Sequence, residues 1–194
     1  KIYQIEYYPG NSLTLLTEYG IGTIKELLNY MKQVGVKYEK IIEDIRESLE
    51  QQLSILKLAK ICHRDINPAN IIVTEDFTFK LGDYVLAEIF QKEGIQEMAI
   101  SGTPGYWAPE IYQDYKKKKY KCRVDPVEAD AYSLEVTIEE IKTSVITISK
   151  KISKEEFLKQ FNQEVNKNSY QKVSKDQMIM LNRSEDIQML EKMK

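Results

Sequence analysis

Apolar residues recur at mostly helical intervals over a long stretch in the first half of the chain. The positions are Ile41, Ile42, Ile45, Leu49, Leu53, Leu56 and Leu58. Side chains three or four residues apart share one face of a helix, so this spacing predicts a single long amphipathic helix from Tyr38 to about Lys60. Further upstream, Leu13, Leu15 and Thr17 occupy alternate positions, and this period of two predicts a strand.

Two short runs that favour strands come later in the chain. Residues 71–73 (Ile, Ile, Val) and 77–81 (Phe, Thr, Phe, Lys, Leu) are rich in β-branched and aromatic side chains, and the turn-like residues 74–76 separate them. The pattern predicts a β-hairpin. Such a hairpin would place Asn70 and Asp83, which flank it, at neighbouring strand ends.

Two capping-box patterns mark the starts of helices. Thr23 stands three residues before Glu26, and Ser153 stands three residues before Glu156. In each pattern the hydroxyl and the carboxylate can bond free backbone N–H groups at the helix start, so a helix is expected to begin after each hydroxyl residue. Weaker helix signals continue from Met178 to Met193.

The composition is that of a soluble globular protein. With 194 residues, of which 42% are hydrophobic and 30% charged, the chain can bury one sizeable core, and one domain is the default expectation. No run approaches the ~18 apolar residues of a membrane span, and no apolar signal core follows Lys1. Cys62 and Cys122 are too few for a disulfide framework and favour a reducing compartment. We therefore expect a cytoplasmic or nuclear protein that has no membrane contact.

The charge pattern gives little support to a nucleic-acid partner. The formal net charge is −2 at pH 7, so the chain as a whole does not attract a polyanion. Lys116 to Lys119 form a basic run between Tyr115 and Tyr120, but a run of like charge is more often a solvated loop. Nucleic acid is therefore not expected as a partner, and a contact through this run would have to be sensitive to salt.

Three blocks of sequence carry the candidate chemistry. Residues 63–70 are H-R-D-I-N-P-A-N, residues 82–85 are G-D-Y-V, and residues 102–110 are G-T-P-G-Y-W-A-P-E. In this order and at this spacing they resemble the catalytic loop, the metal-binding D-F-G segment and the A-P-E end of the activation segment in eukaryotic protein kinases. Residues 15–20 resemble the strand that leads into the hinge of that family, and residues 130–134 resemble the start of its buried central helix.

The resemblance implies an α+β, protein-kinase-like fold with a mainly α-helical C-lobe and remnant N-lobe strands. Residues 1–22 would be the N-lobe remnant and hinge, and residues 23–145 the core of the C-lobe. Residues 146–194 would be a divergent helical part, since no likeness is seen beyond Ile141. The likeness begins only at the fourth N-lobe strand, and no glycine-rich loop or V-A-I-K lysine is found. We therefore expect a fragment, or a domain that lacks its front.

By the same resemblance, four side chains would perform phosphoryl transfer, which depends mostly on alignment and on neutralisation of charge. Asp65 would accept or orient the proton of the substrate hydroxyl, while Asn70 and Asp83 would hold Mg²⁺ against the phosphates of ATP. Thr103 would bridge the substrate-docking loop to the acid. A fifth position, Asn67, replaces the lysine that usually touches the transferring phosphate, which predicts slower chemistry.

The ATP site is expected at the hinge. The resemblance implies that backbone groups of Glu18 and Gly20 meet the edge of the adenine, with Thr17 behind them and Ile72 as the apolar floor. Recognition of adenine through backbone groups tolerates changes in sequence.

Two residues are candidates for regulation. Arg64 directly precedes the acid, and in the family an arginine at this place pairs with a phosphate or an acidic group that orders the activation segment. Ser101 is the nearest hydroxyl before Gly102, whereas Ala99 stands where many relatives are phosphorylated. Phosphorylation is therefore assigned to Ser101 or to no residue.

The motifs resemble serine/threonine kinases more than tyrosine kinases, because the catalytic loop has the Pro-x-Asn form. The implied activity is transfer of the γ-phosphoryl group of Mg²⁺-bound ATP to a Ser or Thr hydroxyl of a protein substrate. The alternative is a pseudokinase or scaffold module, motivated by Asn67, by Val85 in place of the D-F-G glycine, and by the missing front. His63, the single histidine, is expected to be a core residue and not a base. The oligomeric state is left open.

Overall fold

The computed structural model of the chain describes the backbone at residues 2–8, 12–17 and 20–172, and the side chains from residue 20 to residue 165. The α-helices of this part are α1 (Ile24–Val34), α2 (Ile41–Leu58), α3 (Pro109–Lys116), α4 (Pro126–Val145) and α5 (Lys154–Lys172). The chain divides into two compact units, Lys1–Phe157 and Leu158–Lys194. The predicted helix signals between Met178 and Met193 lie outside the described residues.

Short strands accompany the helices. They are β1 (Ile2–Tyr8), β2 (Ser12–Thr17), β3 (Gly20–Thr23), β4 (Val36–Tyr38), β5 (Ile61–Cys62), β6 (Ile71–Thr74), β7 (Phe79–Leu81), β8 (Glu88–Ile89), β9 (Gln96–Ala99), β10 (Lys121–Val124) and β11 (Lys150–Ile152). Strands β3, β6 and β7 form an antiparallel sheet. The antiparallel pairs are β1 with β2, β5 with β8 and β9 with β10, whereas β4 and β11 pair in parallel. The expected α+β fold class is confirmed.

The predicted hairpin is present as β6 and β7. At its turn, Thr74 Oγ1 accepts the Thr78 N–H at 3.1 Å, and the Thr74 carbonyl accepts the Phe77 N–H at 3.0 Å. The other end of the hairpin is closed by the Gly82 N–H, which donates to the Asn70 carbonyl at 2.8 Å. The flanks of the hairpin therefore meet, as the sequence pattern predicts.

Strand β3 packs closely against β6 and leads directly into α1. A Cβ on Gly20 would lie 2.3 Å from Ile72 Cγ2, so glycine is required for this approach. At the end of β3, the Thr23 side chain accepts the Glu26 N–H at 3.3 Å, and the Glu26 carboxylate accepts the Thr23 N–H at 2.9 Å. The predicted capping box is confirmed.

Helices α1, α2 and α4 each bury an apolar face in the first unit. The buried side chains are Ile24, Leu27, Leu28 and Met31 of α1, Ile41, Ile45 and Leu49 of α2, and Leu134, Ile138, Ile141 and Val145 of α4. Each such side chain contributes about 1.5–3 kcal/mol through its burial. The long predicted helix is α2, but it begins at Ile41 because Tyr38 belongs to β4, and its terminal Leu58 is 85% exposed.

An aromatic cluster links β4, the hairpin and the start of α5. The Tyr38 ring centroid lies 5.7 Å from those of both Phe77 and Phe157, and the Phe77 centroid lies 5.4 Å from that of Phe79. These edge-to-face contacts add about 0.5–1.5 kcal/mol per pair to the burial term. The helix that carries Phe157 begins as predicted, since Ser153 Oγ accepts the Glu156 N–H at 3.1 Å.

Helix α4 begins earlier than the sequence likeness implies. Its first residue is Pro126, and the Asp125 side chain caps it by accepting the N–H groups of Val127 at 3.0 Å and Glu128 at 3.4 Å. Asp130 therefore lies in the second turn, where it is only 4% exposed. Of the helices in the described residues, none combines the length and apolar character needed to cross a bilayer.

Candidate active site

The start of the H-R-D motif is anchored on the buried carboxylate of Asp130. Its two oxygens accept the backbone N–H groups of His63 at 2.6 Å and Arg64 at 2.8 Å. Burial raises the pKa of Asp130, and the two N–H bonds oppose that shift. Thr137 of α4 also reaches the loop, since its hydroxyl oxygen lies 3.3 Å from the Ile66 carbonyl oxygen and 2.8 Å from the Ser133 carbonyl oxygen of its own helix. A buried carboxylate with two N–H donors therefore fixes the loop to the helix.

Asp65 is surrounded by donors from two segments. Thr103 donates to Oδ1 through its backbone N–H at 2.9 Å and its hydroxyl at 2.6 Å. Asn70 Nδ2 donates to Oδ2 at 2.7 Å and to the Asp65 carbonyl at 2.9 Å. Asn67 Nδ2 lies 3.2 Å from Asp65 Oδ1 and 3.4 Å from the Thr103 hydroxyl. The structure therefore brings the three predicted catalytic residues together with Asn70, a predicted metal ligand.

His63 connects this network to the second motif. The ring is fully buried, and its Nε2 atom lies 2.9 Å from the Gly82 carbonyl oxygen. The Asp65 N–H donates to Nδ1 at 3.4 Å, so the two contacts together fit the tautomer that carries its proton on Nε2. The ring also packs on Tyr84, with 4.7 Å between centroids. This is the core role that the sequence predicts for His63.

The second predicted metal ligand, Asp83, occupies a different environment. Its backbone is left-handed, with φ 57° and ψ 68°, and its carboxylate accepts the Val85 N–H at 3.4 Å. The adjacent Gly82–Asn70 hydrogen bond brings this backbone to the end of the catalytic loop, although no hydrogen bond joins the Asn70 and Asp83 side chains within the described residues. Val85, where the family has glycine, is 86% exposed.

The donor atoms at this place suit a hard divalent cation. Asn70 commits its amide nitrogen to Asp65, which leaves the side-chain oxygen as the atom that can bind a cation. Asp83 offers a carboxylate. Mg²⁺ prefers oxygen ligands and is commonly bound by one or two protein side chains plus phosphates and waters, so the pair fits it. The described residues contain no group of three or more His, Cys, Asp and Glu side chains that could hold a metal by itself.

The residues predicted for adenine are only partly described. Half-buried Ile72 lies between two glycine backbones, because a Cβ on Gly82 would fall 2.7 Å from its Cδ1 atom and one on Gly20 even closer to its Cγ2. Gly20 and Ile72 are thus neighbours. Thr17 is the last residue of β2, but its side chain is not among those described, and Glu18 lies outside the described residues.

The two predicted regulatory residues lie in one region. Arg64 has a positive φ of 70°, and its guanidinium bonds the Glu88 carboxylate and the Ala99 carbonyl. Gly102 is pressed against the same backbone, since a Cβ there would lie 2.2 Å from the Arg64 carbonyl oxygen. Ser101 Oγ is buried and has no hydrogen-bond partner among the described residues. The Arg64 guanidinium is therefore already paired with an acidic side chain of the protein itself, Glu88.

The A-P-E block is fixed to α4 and to the residue that directly precedes the block. Ser133 of α4 donates to the Tyr106 carbonyl at 2.8 Å, and Trp107 Nε1 donates to the Ser101 carbonyl at 2.7 Å. Glu110, for which a buried ion pair with a later arginine is expected, is exposed and makes no salt bridge within the described residues. Two arginines follow Glu110 in the sequence, and one of them, Arg183, lies outside the described residues.

Comparison with known proteins decides the family. The family model described as "Protein kinase domain" matches residues 1–193. The chain belongs to the protein kinase family. The match extends far beyond Ile141, where the motif resemblance ends, so the family model also covers the divergent last part of this kinase chain.

Curated relatives agree with this assignment. A putative leucine-rich repeat receptor-like serine/threonine-protein kinase of Arabidopsis thaliana is 29% identical over 76% of this chain and 16% of its own length. Serine/threonine-protein kinase par-4 of Caenorhabditis elegans is 32% identical over 64% of this chain and 19% of its own. The human liver/testis phosphorylase b kinase gamma catalytic chain is 32% identical over 52% of this chain and 22% of its own. The chain thus spans less than a quarter of each of these proteins.

Sequence reasoning missed two residues of the kinase site. Asp130 is the first residue of the block that resembles the central helix. An acid at a buried position needs hydrogen-bond donors, so this position could have indicated that Asp130 binds backbone N–H groups. Glu88 carries no comparable signal, because its contact with Arg64 depends on the pairing of β5 with β8.

Proposed function

We propose that the chain is the catalytic part of a protein kinase that transfers the γ-phosphoryl group of ATP to Ser or Thr hydroxyls of protein substrates. The observation that carries the proposal is the set of donors around Asp65. Thr103 and Asn67 donate to one carboxylate oxygen, and Asn70 donates to the other. Thr103 comes from a segment distant in sequence from the catalytic loop. A carboxylate fixed in this way is suited to align an acceptor hydroxyl for in-line transfer.

In this mechanism Asp65 accepts or orients the proton of the incoming hydroxyl. Thr103 and Asn70 orient the carboxylate, so that the cost of aligning it is met before substrate binds. Asn70 and Asp83 would hold Mg²⁺, and the bound ion would neutralise charge on the phosphates. Asn67 supplies an amide where a cation is usual, and we therefore expect slow turnover.

The nucleotide side of the proposal depends on the hinge. The contact between Gly20 and Ile72 supports an apolar surface on which the adenine ring would lie, with Glu18 and Thr17 beside it. The family membership supports ATP as the phosphoryl donor. An intracellular location, in the cytoplasm or nucleus, is part of the same proposal.

The choice of Ser/Thr over Tyr draws on the relatives and on the loop sequence. Two of the relatives, the receptor-like kinase of Arabidopsis thaliana and the par-4 kinase of Caenorhabditis elegans, are named as serine/threonine kinases. The loop of this chain keeps Pro68 two residues before Asn70, the form that favours the same hydroxyl class.

Regulation through Arg64 is proposed in a modified form. Glu88 supplies the acidic partner that a phosphate supplies in other kinases, so we infer an activation segment that is ordered without phosphorylation. Phosphorylation at Ser101 would require local movement, because its Oγ atom is buried.

The decisive experiment replaces Asp65 in the full-length protein. We expect Asp65→Ala to lower phosphoryl transfer at least ~100-fold with little change in ATP affinity, because the acid acts on the hydroxyl and not on the nucleotide. Transfer would be measured with radiolabelled ATP and a mixture of Ser- and Thr-containing peptides. Unchanged turnover would refute the assignment of Asp65.

A parallel titration separates the kinase from the pseudokinase alternative. Mg²⁺-ATP should raise the melting temperature of both the wild type and Asp65→Ala, because a ligand that binds the folded state stabilises it. A shift in the wild type with no transfer to any peptide would instead identify a nucleotide-binding module without catalysis.

A further inference from the structure

The basic run that the sequence leaves unexplained forms one wall of an open groove of about 670 Å³. The run is a defined turn at the end of α3. The Lys118 N–H donates to the Tyr115 carbonyl at 2.8 Å, and the Lys119 N–H donates to the Asp114 carbonyl at 3.1 Å. Lys118 has a positive φ of 58°. The lysines are therefore presented by a hydrogen-bonded turn.

The groove carries excess positive charge. Asp114 pairs with Lys119 at 2.9 Å and with Lys117 at 3.8 Å. Lys116 lies over the Tyr112 ring at 5.3 Å, and neither it nor Lys118 forms a salt bridge in the described part of the chain. Two ammonium groups of the groove therefore have no compensating carboxylate.

Aromatic side chains form part of the same surface. Tyr120 is 90% exposed and Tyr115 is 49% exposed, and Tyr115 packs edge-on against Trp107 with 5.0 Å between centroids. Exposed aromatic rings beside uncompensated lysines can contact the stems and backbone of a peptide while the ammonium groups bind its acidic side chains.

The groove adjoins the catalytic carboxylate. Its inner edge includes Gly102, which directly precedes Thr103, and Thr103 donates two hydrogen bonds to Asp65. The close approach of Gly102 to the Arg64 carbonyl fixes this edge against the catalytic loop. One lining residue of the groove is therefore adjacent in sequence to a residue that contacts Asp65.

We propose that this groove selects protein substrates that carry Asp or Glu close to the acceptor hydroxyl. The inference rests on the proposed kinase function and names the substrate class of that site. Lys116 and Lys118 are the specificity residues. A peptide is favoured over nucleic acid because the groove is of a size that holds a few side chains and lies beside the residue that would orient a hydroxyl.

The test uses peptides that share one acceptor serine and are flanked on both sides by Glu, by Gln or by phosphoserine. For the full-length protein we expect kcat/KM to be about fivefold to tenfold higher for the Glu peptide than for the Gln peptide at low salt, and less in high salt. The double variant Lys116→Gln, Lys118→Gln should bring this ratio close to one. Its turnover of the Gln peptide should stay near that of the wild type.

A matched control neutralises two exposed lysines elsewhere, with Lys57→Gln and Lys150→Gln. This variant makes the same change in net charge and should keep the preference for the Glu peptide. Loss of the preference in both double variants would overturn the proposal in favour of a general charge effect. An unchanged preference in the Lys116, Lys118 variant would overturn it outright.

Three further outcomes separate the alternatives. A much stronger preference for the phosphoserine peptide would mean that the groove takes phosphate, and would overturn the assignment to carboxylates. Salt-sensitive binding of an oligonucleotide that is lost in the groove variant, without any peptide preference, would overturn it in favour of nucleic acid. If no peptide is phosphorylated, the kinase function fails, and fluorescence anisotropy with Ala-acceptor peptides still shows whether the lysines favour the Glu peptide.

Discussion

The two loops that meet at the candidate site differ sharply in how the chain holds them. In the catalytic loop, His63 is fully buried and Asp65 receives hydrogen bonds from three other side chains. In the segment that follows the hairpin, Tyr84 is 46% and Val85 86% exposed. The protein thus preorganises the acid by itself, whereas the segment that carries Asp83 has few packing contacts.

The difference follows from what each loop can bond. The catalytic loop donates backbone N–H groups to Asp130 of α4 and side-chain amides to Asp65. These polar groups of the loop therefore have hydrogen-bond partners within the protein. Among the described residues, the Asp83 carboxylate accepts one hydrogen bond, which is a long one from the Val85 N–H at 3.4 Å. Segments with few buried contacts open most easily. A cation shared by Asn70 and Asp83 would therefore order the second loop more than the first.

The largest effect is expected from breaking the anchor of the catalytic loop. Asp130→Ala removes a buried acceptor and leaves the N–H groups of His63 and Arg64 without their partner, which should lower the free energy of unfolding by about 2–3 kcal/mol. Chemical denaturation would measure the loss. Hydrogen exchange should also become faster at those two amides than at the α2 amides, which a purely global destabilisation would not produce. Equal protection of both regions would contradict the anchor role.

A smaller effect is expected in the exposed segment. Val85→Gly restores the residue usual in the family and removes a side chain that makes little contact, so stability should fall by less than about 1 kcal/mol. Because glycine has more backbone freedom, hydrogen exchange at residues 83–87 should accelerate while exchange at residues 63–70 stays unchanged. Mg²⁺-ATP should slow exchange at 83–87. Equal exchange rates in the two proteins would show that Val85 does not restrict the segment.

The same contrast explains which features the sequence could predict. The capping box at Thr23, the hairpin after Asn70 and the long helix α2 are local patterns, and each was confirmed with its bounds shifted by at most a few residues. The grouping of Asp65, Asn70 and Thr103 was expected only through family resemblance, because no local pattern brings residue 103 to residue 65.

Features that depend on distant pairing gave no signal in the sequence. Strands β4 and β11 are three residues each and pair across more than a hundred positions, too short to show a period. The start of α2 moved because Tyr38 was needed in β4. Asp130 could be placed near the central helix but not assigned a partner, since its role depends on the tertiary position of the H-R-D backbone.

The smallest effect is expected from a surface contact of α4, the helix that also carries Asp130. Weakening this contact tests whether Asp130 acts by binding the catalytic loop or whether α4 acts through its packing in general. The Glu135 carboxylate of α4 accepts hydrogen bonds from both terminal guanidinium nitrogens of Arg46 in α2, with 2.9 Å for the Nη2 contact, and the Glu135 side chain is 61% exposed. Exposed pairs of this kind contribute little, so Glu135→Gln should cost about 0.5 kcal/mol or less at neutral pH. Hydrogen exchange at His63 and Arg64 should not change.

The pH dependence of stability tests the contribution of the Arg46–Glu135 pair most directly. The hydrogen bond from Arg46 lowers the pKa of Glu135 below its ordinary 4.5. The contribution of the pair is therefore complete above the ordinary value and is lost as the pH falls through the lowered one. The stability difference between wild type and Glu135→Gln, measured by denaturation from pH 7 to pH 3, should shrink towards zero on acidification. A difference that stays constant would show that the ion pair is not its source. Faster exchange in the catalytic loop of this variant would mean that α4 supports the site through its general packing and not through Asp130.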